Sequence, residues 1–252
     1  MDIKIIVAAH KQYAMPQDSI YLPVQVGSAC TDISLGYQRD DDGENISSKN
    51  PNFCELTGIY WAWKNLKADY VGLVHYRRLF GKSKENVMTR SDIETLLSTN
   101  EVVLPSKRNY YIETLYSHYA HTMHVEPLDI TGEIIREKYP KYYPEFERLN
   151  KRTSAHMFNM FVMRRDKFDN YCEWLFDILF ELETRVDTKD LDAFHARFFG
   201  RVSELLLDVW VNTNKIDYVE HPVFFTEKVN WFKKGFAFLN AKFFKKKYDK
   251  SF

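Results

Sequence analysis

The segment His75-Tyr76-Arg77-Arg78 places three potential cations directly after a short apolar run, Tyr70-Val-Gly-Leu-Val74. A run of that length, rich in β-formers, reads as a buried strand. In open α/β sheets ligands bind beyond the carboxyl ends of the strands. Imidazole and guanidinium groups at such an end suit an anion, although two arginines after a strand also serve as plain surface charges. The same pattern occurs at the start of the chain, where Ile3-Lys-Ile-Ile-Val-Ala-Ala9 runs into His10-Lys11. Late in the chain, Glu204 precedes the apolar stretch Leu205-Leu-Leu-Asp-Val-Trp210. A carboxylate near the start of a helix is either a charge favoured by the helix dipole or a catalytic base at the mouth of a cleft.

Other polar groups admit two readings each. His118, His121 and His124 recur every three residues. On a helix His118 and His121 are neighbours, while His124 drifts away. Zinc needs further ligands, and neither a nearby cysteine nor a His-Glu-x-x-His pattern supplies them. These histidines therefore line a polar cleft or cover a surface. His156 and Asn159 interrupt the apolar run 154–163, read as a strand, either as satisfied core groups or as ligand contacts. Asp40-Asp-Asp42 lacks the alternating oxygen ligands of a calcium loop and reads as solvated. Asp187-Thr-Lys-Asp190-Leu-Asp192 is an acidic loop.

The elements that must position these groups follow from pattern. Asn50 as N-cap and Pro51 as first helical residue open a helix through Asn65, with Phe53, Leu56, Tyr60 and Trp63 on one stripe. Tyr21–Val26 is extended, with Pro23 holding it to an edge or irregular position. Ser91-Asp-Ile-Glu94 reads as a capping box, and Glu101–Pro105 as a strand. Helical pieces over 134–149 break at Pro140 and Pro144. Asp166 caps a long helix whose stripe is Phe168, Tyr171, Cys172, Leu175, Phe176, Leu179 and Leu182. Strands alternating with helices predict an α/β fold built on a mostly parallel sheet with flanking helices.

Composition narrows the function classes. The chain has 252 residues and zero formal net charge, which argues against a general nucleic-acid binder. The 16% aromatic content suits sugar, base or membrane-interface binding, or a plain aromatic core. Cys30, Cys54 and Cys172 form no Cys-x-x-Cys pair, as expected in a reducing cytoplasm. No signal peptide and no spanning segment are expected. From Lys228 to Lys250 there are eight lysines against one acid, Asp249. Phe232, Phe236, Leu239 and Phe243 share a helical face there, the pattern of a helix on an anionic membrane surface.

Asn50-Pro-Asn-x-Cys-Glu-Leu-Thr-Gly-x-Tyr-Trp-Ala-Trp-Lys-Asn65 and Asp69-Tyr-Val-Gly-Leu-Val-His-Tyr-Arg-Arg78 are joined by Phe158-Asn-Met-Phe-Val-Met163, Tyr171-Cys-Glu-Trp-Leu-Phe176 and Ser203-Glu-Leu-Leu-Leu-Asp-Val-Trp210. Together these blocks resemble a family of bacterial polysaccharide-biosynthesis glycosyltransferases, long labelled only as a domain of unknown function, that includes galactofuranosyltransferases. The resemblance covers roughly residues 3 to 225. It implies a single GT-A-like (Rossmann-like) domain over 1–226, with a donor-nucleotide half to about residue 105 and an acceptor half from 106; the residues beyond it, 227–252, read from their own pattern as a basic amphipathic membrane-surface tail. It implies a UDP-sugar donor, UDP-galactofuranose, a lipid-linked saccharide acceptor, and a place on the cytoplasmic face of the plasma membrane. Most GT-A enzymes hold Mn²⁺ or Mg²⁺ on an Asp-x-Asp at the strand end that here reads His75-Tyr-Arg77-Arg78. The resemblance thus implies a diphosphate neutralised by His75, Arg77 and Arg78, with no obligatory metal. His10 and Lys11 fall on the nucleotide side, and Asn52 and Glu55 near donor sugar or phosphate. Glu204 is the first choice for the base of an inverting transfer, with Asp192 and Asp190 as alternatives. A phosphate-handling hydrolase on a similar sheet and a non-catalytic glycan- or membrane-binding protein are the competing readings.

Overall fold

The computed structural model describes residues 1–227. In chain order the strands and helices are β1 (Ile3–Ala9), β2 (Tyr21–Gln25), β3 (Gln38–Arg39), α1 (Asn50–Phe53), α2 (Leu56–Asn65), β4 (Tyr70–His75), β5 (Arg78–Phe80), α3 (Arg90–Leu97), β6 (Val102–Pro105) and β7 (Arg108–Asn109). They continue as α4 (Leu115–Thr122), α5 (Glu126–Lys138), α6 (Tyr143–Asn150), β8 (Ser154–Ala155), β9 (Phe161–Arg164), α7 (Arg165–Arg185), α8 (Phe198–Thr213), β10 (Tyr218–His221) and β11 (Val223–Phe225). The membrane-surface helix expected over 228–250 lies outside the described residues.

The main sheet runs in the order β10-β6-β9-β4-β1-β2-β3. β1 is parallel to both β2 and β4, and β9 lies antiparallel between β4 and β6. This is the mostly parallel, helix-flanked sheet that the alternation of elements predicts. Strands from beyond residue 106 complete it: β9 lies between β6 and β4, and β10 is at its edge, parallel to β6. Order reverses at β1, since β2 lies on one side of it and β4 on the other. The crevice beyond such a switch point is where α/β sheets bind ligands.

Alternation along the strands fills both faces. Ile6, Ala8, Val71, Leu73, Val102, Leu104, Phe161 and Met163 face the larger core with α2 and α5 to α8, whereas Ile3, Ile5, Val7, Val74, Val103 and Val162 face the smaller one with α3. The predicted stripe of α7 is buried throughout. Trp63 and Tyr60 of α2 pack on its Phe176 with ring centroids 5.9 and 5.0 Å apart. Gly72 lets β4 and β9 approach closely, because a Cβ there would lie 2.8 Å from the Phe161 carbonyl oxygen.

Several local readings change. The 50–65 helix breaks: Cys54 adopts φ 54°, ψ −132°, a conformation costly for any residue with a Cβ, and separates α1 from α2. Asn50 is inside the first turn rather than at the cap, and its amide donates to the Cys54 carbonyl (2.7 Å) freed by the break. Asp40 is fully buried rather than solvated. Its carboxylate accepts from the Gly27 and Ser28 N–H groups and from the Ser47 and Thr57 hydroxyls, tying three loops to α2. The capping box of α3 is Thr89 with Asp92, two residues earlier than Ser91-Glu94. Pro144 opens α6 instead of breaking a helix, since it sits where no N–H is needed. Asp166 lies in the first turn of α7, paired with Arg164 (2.5 Å), and does not cap it. The run 154–163 is not one strand: residues 156–160 form a loop between β8 and β9, with Phe158 and Asn159 at φ 79° and 54°. Pro23 is tolerated because β3 pairs only with Val24 and Gln25, leaving that side of Pro23 open.

Candidate active site

The carboxyl ends of β1 and β4 meet in register, with Ala8 opposite His75. Two groups of side chains gather there, pointing different ways because successive residues alternate.

The outer group is basic and aromatic. Lys11 lies 5.3 Å from the Tyr76 ring centroid and 5.8 Å from that of Tyr13, and Arg77 lies 5.4 Å from Tyr76. The Tyr76 hydroxyl is 3.3 Å from His10 Nε2. His10 is not a cation at neutral pH: burial, then the Arg77 and Lys11 charges, hold its imidazole below the ordinary value. Glu227 closes this group, 3.3 Å from Lys11 and 4.0 Å from Arg77. Hydrogen bonds from Thr226 to the Arg77 and Tyr76 carbonyl oxygens bring it there.

The inner group is buried and charged, and its centre is Glu204. That residue sits in the second turn of α8, not at its start, so the helix dipole is not what holds it. It is 6% exposed, and its Oε2 lies 3.6 Å from Arg201 Nη1 without a hydrogen bond. Burial pushes the Glu204 carboxyl above its ordinary value, and the charge of Glu55 adds to this; Arg201, Arg78 and Arg108 oppose it. Arg78 stacks 4.5 Å over the Phe158 ring, and its buried Nε has no hydrogen-bond partner. Glu55 accepts from Asn159 Nδ2 at 2.8 Å. His75 Nε2 donates to the Phe158 carbonyl oxygen at 2.6 Å. Burial keeps His75 neutral, so it braces the 156–160 loop and does not supply the positive charge expected of it.

The remaining predicted residues take other positions. Asn52 donates to the Ala196 carbonyl (3.1 Å), tying α1 to the turn before α8. Asp192 is exposed and engaged by His195 Nδ1 (2.6 Å) and the Phe194 and His195 N–H groups, which hold its carboxyl down at about 2. So weak a base is a poor proton acceptor at neutral pH, and Asp190 lies in the same exposed loop. His118 and His121 both turn Nδ1 to the buried carboxylate of Glu113, at 3.1 and 2.7 Å. Burial pushes His118 down to about 4. His156 is wholly buried between Asp208 and Glu220.

Three arginines that the sequence reading passed over complete the site. Arg197 Nε lies 2.9 Å from Cys54 Sγ and its charge faces Glu55 and Arg201. Arg201 faces Glu204, and the charge of Arg108, on β7, acts on the same carboxylate. Positions 197, 201, 204 and 208 form one helical stripe, a spacing visible in the sequence. Burial pushes the Cys54 thiol up to about 11, so it is not a thiolate nucleophile. Among the described residues, no three His, Cys, Asp or Glu side chains converge where a metal ion could sit. β4 leads into Arg77 and Arg78, whose guanidinium groups do not ligate a cation.

A protein-family model described as "Domain of unknown function (DUF4422)" matches residues 4–215. The chain belongs to that family. No curated protein matches it. Among solved structures, it is similar to the apo form of the bifunctional glycosyltransferase WbbM, at TM-score 0.85 and 29% identity over 90% of this chain. The match spans 46% of that protein's chain, so this family member corresponds to less than half of it. The fold is GT-A-like. Among the described residues, no helix is long and apolar enough to cross a membrane.

Proposed function

We propose that this chain is a glycosyltransferase that moves a sugar from a nucleoside-diphosphate donor to a glycan acceptor. The observation that carries the reading is Glu204: a buried carboxylate 3.6 Å from Arg201, under the charges of Arg78 and Arg108, in a GT-A-like fold.

Glu204 takes the proton of an acceptor hydroxyl as that oxygen bonds to the anomeric carbon. The bond from the anomeric carbon to the donor phosphate breaks on the opposite face, giving inversion, and its electron pair leaves with the diphosphate. A base with a raised pKa accepts a proton more readily, and general-base catalysis contributes about 10²–10⁴-fold. Lys11, Arg77 and Arg78 neutralise the diphosphate, with no obligatory metal. Fixed cations aimed at a leaving group need no reorganisation as charge develops. Tyr13, part-exposed beside Lys11, meets the base of the nucleotide, while the buried Tyr76 ring carries Lys11 and Arg77.

The family resemblance supports UDP-galactofuranose as donor and a lipid-linked saccharide as acceptor, in the synthesis of a bacterial surface polysaccharide. The lysine-rich sequence 228–250 suits an anionic membrane surface at which such an acceptor is presented. Calorimetric titration with UDP and UDP-galactofuranose, followed by detection of transfer to synthetic lipid-linked galactosides, tests the reading. Binding of both nucleotides and acceptor-dependent release of UDP are expected. UDP release that ignores the acceptor would favour a hydrolase, and absence of nucleotide binding would contradict the proposal.

A further inference from the structure

The loop 156–160 is held in an unfavourable backbone conformation by contacts at both ends. Phe158 and Asn159 are consecutive left-handed residues, and a phenylalanine pays a steric penalty there. From this loop Asn159 makes three hydrogen bonds. Its Nδ2 donates to Glu55 Oε1 (2.8 Å) and to the Gly200 carbonyl (3.1 Å), and its Oδ1 accepts from Ser203 Oγ (2.9 Å). Ser203 adjoins Glu204 in α8. Asn159 therefore sets one carboxylate of the inner group, Glu55, against the helix that carries the other.

At the entrance to the loop His156 is fully buried. Its backbone N–H donates to Asp208 Oδ2 at 3.0 Å, and Nδ1 donates to the second oxygen of the same carboxylate. Nε2 lies 3.3 Å from Glu220 Oε1 without an aligned hydrogen bond. Asp208 is one helical turn beyond Glu204, and Glu220 belongs to β10. Against the effect of burial, Lys107 holds Glu220 below the ordinary carboxylate value and so keeps it charged toward His156. A buried imidazole flanked by two carboxylates pins the loop to helix and sheet alike, and removing it leaves two acidic groups facing each other.

We propose that His156, bridging Asp208 and Glu220, is a positioning residue for sugar transfer: it locks the strained 156–160 loop so that Asn159 holds Glu55 in place opposite Glu204. The inference rests on the proposed glycosyltransferase activity and assigns His156 no contact with substrate.

The test compares wild type, His156→Gln, Asn159→Gly and the double variant for UDP affinity, turnover of UDP-galactofuranose and the pH profile of kcat. Glycine adopts the φ of residue 159 freely, so Asn159→Gly removes the amide without adding backbone strain and reads the Glu55 link independently of whether His156→Gln folds. Each single variant is expected to lose kcat on the order of a hundredfold, the cost of slight misplacement, with UDP affinity unchanged. The acidic limb of the profile moves to lower pH in both, because Glu55 no longer faces Glu204. The double variant loses no more than the worse single one, since both act through Glu55. Wild-type kcat in Asn159→Gly, an unmoved limb, or additive losses would overturn the inference while leaving the transferase reading intact. A wild-type protein without turnover would overturn that reading first and this inference with it.

Discussion

Glu204 and Arg201, three positions apart on α8, stand 3.6 Å from each other at the heart of the site, and the pair is not closed by a hydrogen bond. A buried carboxylate oxygen with no hydrogen-bond partner, and a guanidinium beside it, keeps an unused acceptor for a substrate hydroxyl. Its availability comes at a cost to the fold, because burial disfavours its charged form.

That cost fixes the sign of a stability prediction. A carboxyl whose folded pKa lies above its unfolded one binds protons more tightly in the native state. Its penalty is absent below the unfolded value near 4.5, grows as pH rises to the folded pKa, and is complete above it. Glu204→Gln is therefore expected to melt above wild type at pH 7, with the difference vanishing toward pH 4. Thermal melts across that range check this.

The same shift governs rate. Because the ionised form is the base, kcat of the wild type falls as pH drops through the raised pKa of Glu204, at a pH above the ordinary glutamate value. A pH–rate profile measured in the presence of saturating acceptor reads that limb.

The two groups at the strand ends separate binding from chemistry. Lys11→Ala and Arg77→Ala are expected to raise the KM for donor with little change in kcat, since these exposed side chains meet the ligand in ground and transition states alike. Arg78→Ala and Arg201→Ala, beside Glu204, are expected to lower kcat by about 10²-fold or more. Steady-state kinetics on the four variants distinguish the two patterns.

Glu227 rests on Lys11 and Arg77, two of the three cations assigned to the diphosphate. Glu227→Gln is expected to tighten UDP binding several-fold at low ionic strength, with the gain lost in high salt, because exposed pairs are screened. Calorimetry at two salt concentrations measures it.

What was legible in the sequence is what repeats. β1, β4 and the stripe of α7 stand out because alternation or helical spacing is uninterrupted there. The break at Cys54 was not legible, since nothing in Asn50-Pro-Asn-Phe-Cys announces a positive φ at a cysteine; only the packing of α1 against the turn before α8 demands it. Residues 156–160 passed for strand because they are as apolar as β9, yet the buried partners of His156 and Asn159 pull the backbone out of the sheet. Asp40 looked solvated among acids, and its burial depends on donors from residues 27, 28, 47 and 57 that only the fold assembles. The cationic strand end at 75–78 was visible, but not that its histidine is neutral. Arg197, Arg201 and Glu204 share a helical face that spacing alone would have revealed.

Transfer of galactofuranose from UDP-galactofuranose to a synthetic lipid-linked galactoside by wild type and Glu204→Gln, both shown folded by their melting curves, tests the central claim most directly. Acceptor-dependent product from the wild type and a kcat lower by about 10²–10⁴-fold in the variant, with UDP affinity retained, is the predicted result. Equal turnover by the two proteins would contradict it.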